Sequence, residues 1–489
     1  MKNSKFIGIA GALLLIVILY VCFGRGGISE SDVIKRTEKE LALVQPWLDF
    51  KVDKISADTS VNAITFTGVS ISSKDFEGFV LKVESIVESG IDDNSYKGEP
   101  GDITSIKSLD YNNISFIYNG QQVATIAKYT QEQLALRYKE FLKFLGENAA
   151  KADTDKLIAH PLYKDYSVGR VYAKDLKADI GMVTASIKEI EGKDVTLTKY
   201  GPGFIADLQV SVMGNKVFGL DKFSFASCSL PAFISEAIAD PEKFLQNNQE
   251  FSKKFENDRL AVLSPFEIKN FSFDNLMVDT GAAPVTLKQL KGDFSLIEGN
   301  LKLSSSLDDL LLSRAFISSN SELKYLAPAV KEDLHLNADL NLLLDSKKEP
   351  VDIAVRTVLK EKNLGGFSVD IAGDMPKQSL YRKSDDAPRL KSLDFAIVDT
   401  GLIDFILAGN AAMEESSLDK EQILAMLEAM GADGSTPLLQ KTLSAIASLI
   451  KSGGTLNVSL KPEKILIWPD DFDFETLDQK GYSITYKPR

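Results

Sequence analysis

The chain has 489 residues, 44% apolar and 26% charged, which is ordinary globular usage and excludes a disordered chain, a fibrous repeat and a polytopic membrane protein. Lysine and arginine number 56 against 69 aspartates and glutamates, so the formal net charge is −13. Without a cationic surplus to neutralise phosphates, nucleic acid is not an expected partner.

An uncharged run at residues 6–24, FIGIAGALLLIVILYVCFG, comes first in the chain. A helix of this length spans about 28 Å, close to the hydrocarbon thickness of a bilayer. Lys2 and Lys5 precede the run, and this positive bias places the N-terminus in the cytoplasm and the bulk of the chain across the membrane. The run ends without a small-x-small cleavage site, so we expect an uncleaved single-pass anchor.

The next segments alternate between strand and helix patterns. An amphipathic helix is predicted at about 30–48, and Thr130 to Gln133 reads as a capping box that opens a helix at about 130–148. Further helices are predicted at about 231–255, 401–411, 418–430 and 437–451. Apolar residues with period two predict half-buried antiparallel strands; these runs lie at 206–212, 334–342, 351–359, 367–371, 456–460 and 482–486. Gly68 interrupts one such run, as a β-bulge does.

These patterns predict an α+β fold, mostly antiparallel β with inserted helices and one N-terminal transmembrane helix. We expect four regions: residues 1–28 as cytoplasmic tip and anchor; 29–160 as a membrane-proximal β-rich region with the helix at about 130–148; 161–390 as a central antiparallel region with helices at about 231–255; and 391–489 as a C-terminal region with the helical cluster 401–451 and terminal strands.

A weak internal echo repeats the sequence Val-Asp-Thr-Gly. It ends at Gly281 and again at Gly401, and a fainter match runs from residues 176–192 to 276–292. Either a β-rich unit is duplicated, or strand–turn–strand segments resemble one another by composition. Two Asp-Thr-Gly copies also suggest the paired carboxylates of an aspartic protease, but the sequence after each copy favours simple turn chemistry.

Other chemistries lack their residue patterns. His160 and His335 are the only histidines, and no Cys-x-x-Cys spacing exists, so a zinc site is not expected. The stretch at 93–104 has a lysine and Thr104 where a calcium loop needs ligands, and the acidic run at 470–475 favours an exposed turn over a calcium site. Ser321 and Lys324 have the S-x-x-K spacing without its companion motifs. We therefore assign no catalytic residue, cofactor or metal ligand.

The cysteine content fits an oxidising bacterial compartment. Cys22 lies inside the uncharged run, and Cys228 is the only thiol in the rest of the chain, so no disulfide forms there. An extracellular eukaryotic domain of this size would more often carry several disulfides. A bacterial periplasm fits better.

The anchor at 6–24, the stretch from Phe50 to Ser56 and the strand from Ile64 to Ile71 together resemble the AsmA-like proteins of Gram-negative envelopes. The segment from Phe273 to Leu290 is a looser second copy of the same strand pattern. The resemblance implies a protein of the bacterial inner membrane with its bulk in the periplasm. It also implies that the membrane, lipid and other envelope proteins are partners of this protein.

The sequence thus predicts a non-enzymatic, single-pass, membrane-anchored periplasmic envelope protein that binds lipid or another apolar ligand on a β-sheet face. The alternative is a structural or protein-interaction scaffold of the bacterial envelope with a closed core. An open apolar sheet face would favour the first, because monomers seldom expose more than a few hundred Å² of contiguous apolar surface.

Overall fold

The computed structural model describes a large part of the chain: residues 29–46, 48–73, 78–91, 103–137, 140, 143–144, 146–147, 166–196, 198–231, 233–234, 248–380, 388–413, 419–432, 436–463, 465–467 and 480–489. The predicted anchor at 6–24, His160 and the acidic stretch 470–475 lie outside the described residues, as does most of 93–104.

The fold class predicted from the sequence is wrong. Over the described residues the structure is mostly antiparallel β-sheet, with 59% strand and 23% helix, rather than an α+β fold with a transmembrane helix. No helix in the described part of the chain combines the length and the apolarity needed to cross a membrane. Part of the predicted helix at 130–148 is strand instead: residues 130–136 belong to a strand that pairs with a neighbour on each side.

The strands in chain order are β1 (Leu48–Lys51), β2 (Lys54–Asp58), β3 (Ala63–Ser73), β4 (Phe79–Ile91), β5 (Thr104–Tyr118), β6 (Gln121–Leu136), β7 (Ser167–Ile180), β8 (Val183–Thr196), β9 (Lys199–Tyr200), β10 (Gly203–Val212), β11 (Asn215–Phe225), β12 (Ser227–Ser229), β13 (Phe266–Asp279), β14 (Pro284–Ile297), β15 (Asn300–Leu312), β16 (Leu334–Asp345), β17 (Val351–Glu361), β18 (Gly365–Met375), β19 (Arg389–Asp399), β20 (Gly454–Leu460), β21 (Leu466–Ile467) and β22 (Tyr482–Lys487). The helices are α1 (Glu30–Val44), α2 (Asn248–Asn257), α3 (Arg259–Val262), α4 (Arg314–Ser319), α5 (Leu402–Met413), α6 (Lys420–Ala432) and α7 (Pro437–Ser452), with 3₁₀ turns at Lys324–Leu326 and Lys377–Leu380.

The chain divides into two compact units. The first comprises Met1–Lys216 and Lys222–Lys253, and the second comprises Val217–Asp221 and Lys254–Arg489. In the first unit, antiparallel pairing runs from β1 and β2 through β3, β4, β5, β6, β7 and β8 to β10. In the second, it runs from β13 through β14–β20 to β22, with β21 beside β19.

Helix α1 closes the core of the first unit. Ser29 is its N-cap and accepts a hydrogen bond from the Asp32 backbone nitrogen. Val33, Thr37 and Leu41 recur every four residues and are buried, so one stripe of the helix faces the sheet. Val33 and Leu41 join one cluster with the apolar residues of β1 and β3–β7.

Helix α7 covers one end of the sheet in the second unit. Thr436 caps it through the Leu439 backbone nitrogen, Pro437 occupies its first turn, and Gly453 ends it. Leu438 packs on Leu460 and Leu466, and Leu449 packs on β20 and β22. The burial of one helix face therefore fixes the C-terminal strands.

Several predicted elements are confirmed and one is wrong. The alternating runs lie in β10, β16, β17, β18, β20 and β22, and the three late helices are α5, α6 and α7. The helix predicted to begin at Thr130 is wrong over 130–136, which belong to β6. The Thr130 hydroxyl donates to Asp110 on the neighbouring strand at 2.7 Å instead of capping a helix. Of the helix predicted at 231–255, residues 248–255 lie in α2, and residues 235–247 lie outside the described residues.

Two hairpins share one register at an offset of 100 residues. Leu176 pairs with Ile187 in β7–β8, and Leu276 pairs with Leu287 in β13–β14. Asp175 and Asn275, which also differ by 100, both have a φ of 52°. Composition does not fix register or the place of a positive φ, so these matches favour duplication of the hairpin. The two Val-Asp-Thr-Gly segments, at an offset of 120, do not share a structure, because β13 leads into a hairpin and β19 leads into α5.

Candidate functional site: the apolar sheet face of the second unit

The two Asp-Thr-Gly copies form turns. The Asp279 carboxylate accepts a hydrogen bond from the Gly281 backbone nitrogen at 2.9 Å. Asp399 accepts from the backbone nitrogens of Gly401 at 3.0 Å and Ile403 at 3.1 Å, and so caps the first turn of α5. Each carboxylate therefore accepts hydrogen bonds from the backbone of its own turn.

The same two aspartates are far apart in the sheet. Asp279 ends β13 and Asp399 ends β19, with β14–β18 between these strands. At about 4.8 Å per strand the separation along the sheet is about 29 Å. The paired carboxylates of an aspartic protease share one proton at about 3 Å, so these two do not form such a pair.

The remaining sequence candidates do not converge on a site either. His335 Nδ1 lies 2.6 Å from Asp309 Oδ1, a local contact between neighbouring strands. Ser321 and Lys324 are exposed. Within the described residues no three metal-ligating side chains lie close together. Burial raises the pKa of the Cys228 thiol and so lowers its thiolate content at neutral pH.

Apolar residues form rows that run across neighbouring strands. The alternation along a single strand did not reveal these rows. Residues that pair in an antiparallel sheet carry their side chains on the same face. One row is apolar across nine strands of the second unit: Ile268, Phe294, Leu303, Leu342, Val355, Ile371, Leu393, Leu460 and Tyr482. A second is also apolar throughout: Phe273, Leu290, Leu307, Ala338, Leu359, Phe367, Ile397, Leu456 and Tyr486. We call this surface the second unit's apolar face.

The opposite face of the same strands is polar. Asp293, Ser304, Asn341 and Arg356 pair across β14–β17 and alternate along each strand with the apolar residues. The sheet therefore separates its two surfaces by chemistry.

Burial of the apolar face changes from strand to strand. Under α7 it is deepest, since Leu460 is 1% and Leu456 4% exposed. From β13 to β18 the residues of the first row are half-exposed, and Ile371 is 37% exposed. The face is thus buried under α7 and again at Leu296 (2% exposed) and Leu344 (8% exposed), and it is partly exposed along the first row from β13 to β18.

The first unit shows the same kind of face in a closed state. Ile71, Leu81 and Phe116 pair across β3–β5, and Leu81 is 1% exposed. The cluster that buries them includes α1, and Phe144 packs against it as well. An apolar sheet face in this protein is therefore buried where helical residues lie on it.

A small polar cluster sits inside that closed core. The Gln131 side-chain nitrogen donates to the Tyr129 hydroxyl at 2.6 Å and lies 3.4 Å from the Tyr166 hydroxyl. Burial, with the neighbouring Tyr129, Glu88 and Tyr166, holds the pKa of Tyr111 well above its usual range. Burial also raises the pKa of Tyr129, so the hydroxyls of Tyr111 and Tyr129 stay neutral.

At the start of β17 an ion-pair network links three strands. Lys391 contacts Asp352 at 2.5 Å and the buried Asp374 at 3.1 Å, and Lys348 contacts Asp352 from the other side. The hydrogen bonds from Lys348 and Lys391 lower the pKa of Asp352 to about 2. Asp374 also accepts from Arg389 Nε at 2.5 Å. The network ties together the strand ends next to the apolar face.

Comparison with known proteins gives one partial match. A family model described as "Uncharacterized protein" matches residues 363–469, from the turn before β18 to just after β21. No curated protein and no solved structure matches the chain. The shared segment contains the part of the apolar face where exposed strands meet the strands that α7 covers. The resemblance to AsmA-like proteins stays a prediction from the sequence.

Proposed function

We propose that this protein is a non-enzymatic, membrane-associated envelope protein that binds the hydrocarbon chains of lipids on the second unit's apolar face. The observation that carries the proposal is the pair of apolar rows, which stay half-exposed from β13 to β18. Leaving such a surface in water costs about 25 cal/mol per Å² of apolar area, so a sequence that maintains it across many strands favours a ligand for it.

The chemistry of the face fits an extended hydrocarbon chain better than a compact ligand. The side chains are aliphatic or aromatic, and the paired positions of the first row supply no charged group across nine strands. Nothing along the row would orient a polar substrate for reaction. An extended acyl chain needs only a continuous apolar surface.

The sequence supports a place beside the membrane for such a protein. The uncharged run at 6–24 with its flanking lysines supports an inner-membrane anchor with the bulk in the periplasm. An anchor would hold the apolar face close to a source of lipid. The AsmA-like pattern of the first strands points to the same setting.

Photo-labelling of the full-length protein tests the proposal. Membranes that contain the protein are supplied with phosphatidylethanolamine and phosphatidylglycerol carrying diazirine-labelled acyl chains, and the labelled peptides are mapped by mass spectrometry. We expect label on apolar-face residues of β13–β19. Label confined to residues 6–24 would contradict the proposal, because only the hydrophobic run would then meet lipid.

Two adjacent leucines provide a matched pair of variants. Leu342 belongs to the first apolar row, whereas Leu343 lies on the opposite face and is 44% exposed. Leu342→Glu should lower labelling of β13–β19 several-fold, since a carboxylate repels a hydrocarbon chain. Leu343→Glu should leave labelling unchanged. An equal effect of both variants would mean that the label does not report the apolar face.

A further inference from the structure

An open cavity of 610 Å³ lies on the polar face of the second unit, where β13 to β17 run side by side. The volume lies within the range of about 300–1,000 Å³ that is typical of small-molecule sites. Six of its lining residues are direct chain neighbours of residues in the apolar rows, so their side chains project from the opposite, polar face. These six are Lys291, Ser304, Ser306, Asp339, Asn341 and Arg356.

Short side chains on the central strand create the cavity. Ser304 on β15 pairs with Asp293 on β14 and with Asn341 on β16. Ser306, the next residue on the same face of β15, pairs with Asp339. The two serine side chains are shorter than those on either side, so β15 forms the floor of the cavity, and β14 and β16 form its walls.

The walls carry hydrogen-bonding groups that the fold does not use. In the part of the chain that the structure describes, the side chains of Lys291, Asp339, Asn341 and Arg356 take part in no hydrogen bond or ion pair. Lysine and arginine supply only donors, the carboxylate supplies only acceptors, and the amide supplies both. The cavity therefore offers donors and acceptors together to a ligand.

The balance of these groups indicates the class of ligand. The two cations, Lys291 and Arg356, are matched by two carboxylates, Asp293 and Asp339, so the lining side chains carry no net charge. An anionic ligand needs an excess of donors and a cationic ligand an excess of acceptors, whereas a sugar hydroxyl donates and accepts at the same point. Val358 pairs with Asp339 and also lines the cavity, which gives the C–H groups of a sugar ring an apolar contact.

We infer that this cavity binds a neutral oligosaccharide. Five strands at a spacing of about 4.8 Å span about 19 Å, which is longer than a single sugar ring. Asn341 and Arg356 are paired neighbours and bind adjoining hydroxyls at one end, and Lys291 binds at the other. The inference goes beyond the proposed function, because it concerns the opposite face of the sheet and a different class of ligand.

The test uses the full-length protein in lipid nanodiscs and four defined trisaccharides. Maltotriose, cellotriose and chitotriose are neutral, and trigalacturonate is the acidic comparison. Saturation-transfer NMR detects binding, and titration gives the dissociation constants. We expect at least one neutral trisaccharide to bind, and to bind more tightly than trigalacturonate.

Two tryptophan variants locate the site. Ser304→Trp fills the floor of the cavity and should weaken binding at least about tenfold. Ser483 is an exposed serine in the same cross-strand row as Arg356, four strands further along the sheet, so Ser483→Trp is the matched control and should leave binding unchanged. Asn341→Ala removes one hydrogen-bonding side chain and should weaken binding about three- to tenfold.

The outcomes are independent of the lipid proposal. Ser304→Trp should leave acyl-chain labelling of β13–β19 unchanged, since residue 304 faces away from the apolar rows, and this result also shows that the variant is folded. Equal trisaccharide binding by the native protein and Ser304→Trp would overturn the site. Tighter binding of trigalacturonate than of every neutral trisaccharide would overturn the ligand class, and no binding of any of the four would overturn the inference as a whole.

Discussion

At the scale of single residues, Asp399 shows how a motif with catalytic associations serves the fold. Its carboxylate is 5% exposed and receives two backbone N–H groups at the start of α5. We expect Asp399→Ala to lower the free energy of unfolding by about 1–2 kcal/mol, the usual cost of losing a helix cap. Urea denaturation measures it. Asp279→Ala, which removes one such bond, is the control and should cost less.

The ion pairs of Asp352 should make the stability of the protein depend on pH. Lys348 and Lys391 lower its pKa to about 2, so the folded state binds this proton more weakly than the unfolded chain, whose carboxyl has a pKa near 3.8. The stabilisation is therefore present above about pH 4 and is lost as the pH falls through about 2. We expect Asp352→Asn to lower the thermal midpoint at neutral pH and to match the native protein near pH 2. A difference between the two proteins that stays constant from pH 7 to pH 2 would contradict this assignment.

At the scale of elements, the sequence predicted what local chemistry controls. Alternation located β16, β17 and β18, and the helical pattern at about 437–451 located α7. The prediction of a capping box failed at Thr130, because the Thr130 hydroxyl donates a hydrogen bond to Asp110 on the neighbouring strand. The rows of the apolar face also escaped prediction, because they depend on the register between strands and on bulges that no single strand reveals.

Residues with a positive φ are a second element-scale feature of the strands. Asp175 in β7 has a φ of 52° and is exposed. A β-branched residue tolerates this conformation poorly, so Asp175→Val should cost about 1–3 kcal/mol, whereas Asp175→Gly should be neutral or stabilising. Unfolding in urea compares the two. Lys177→Val, on the same strand and also exposed, is the matched control and should have little effect; an equal loss in both valine variants would place the cost in side-chain chemistry instead of the backbone.

At the scale of the whole molecule, one kind of surface is used in two ways. Each unit contains an antiparallel sheet with an apolar face. Whether that face is buried depends on which helical residues lie on it. The first unit buries Leu81 between Ile71 and Phe116. The second leaves Leu303 half-exposed between Phe294 and Leu342. The same substitution at these two leucines should therefore have different consequences.

Leu81→Asp places a carboxylate in a closed core and should lower the free energy of unfolding by several kcal/mol or prevent folding altogether. Leu303→Asp keeps its carboxylate in contact with water, so it should cost only about 1 kcal/mol of apolar burial while it reduces acyl-chain labelling of β13–β19. Urea unfolding and photo-labelling of both variants measure the two effects. If Leu303→Asp were as destabilising as Leu81→Asp, the second unit's apolar face would be a closed core, and the scaffold function would replace lipid binding.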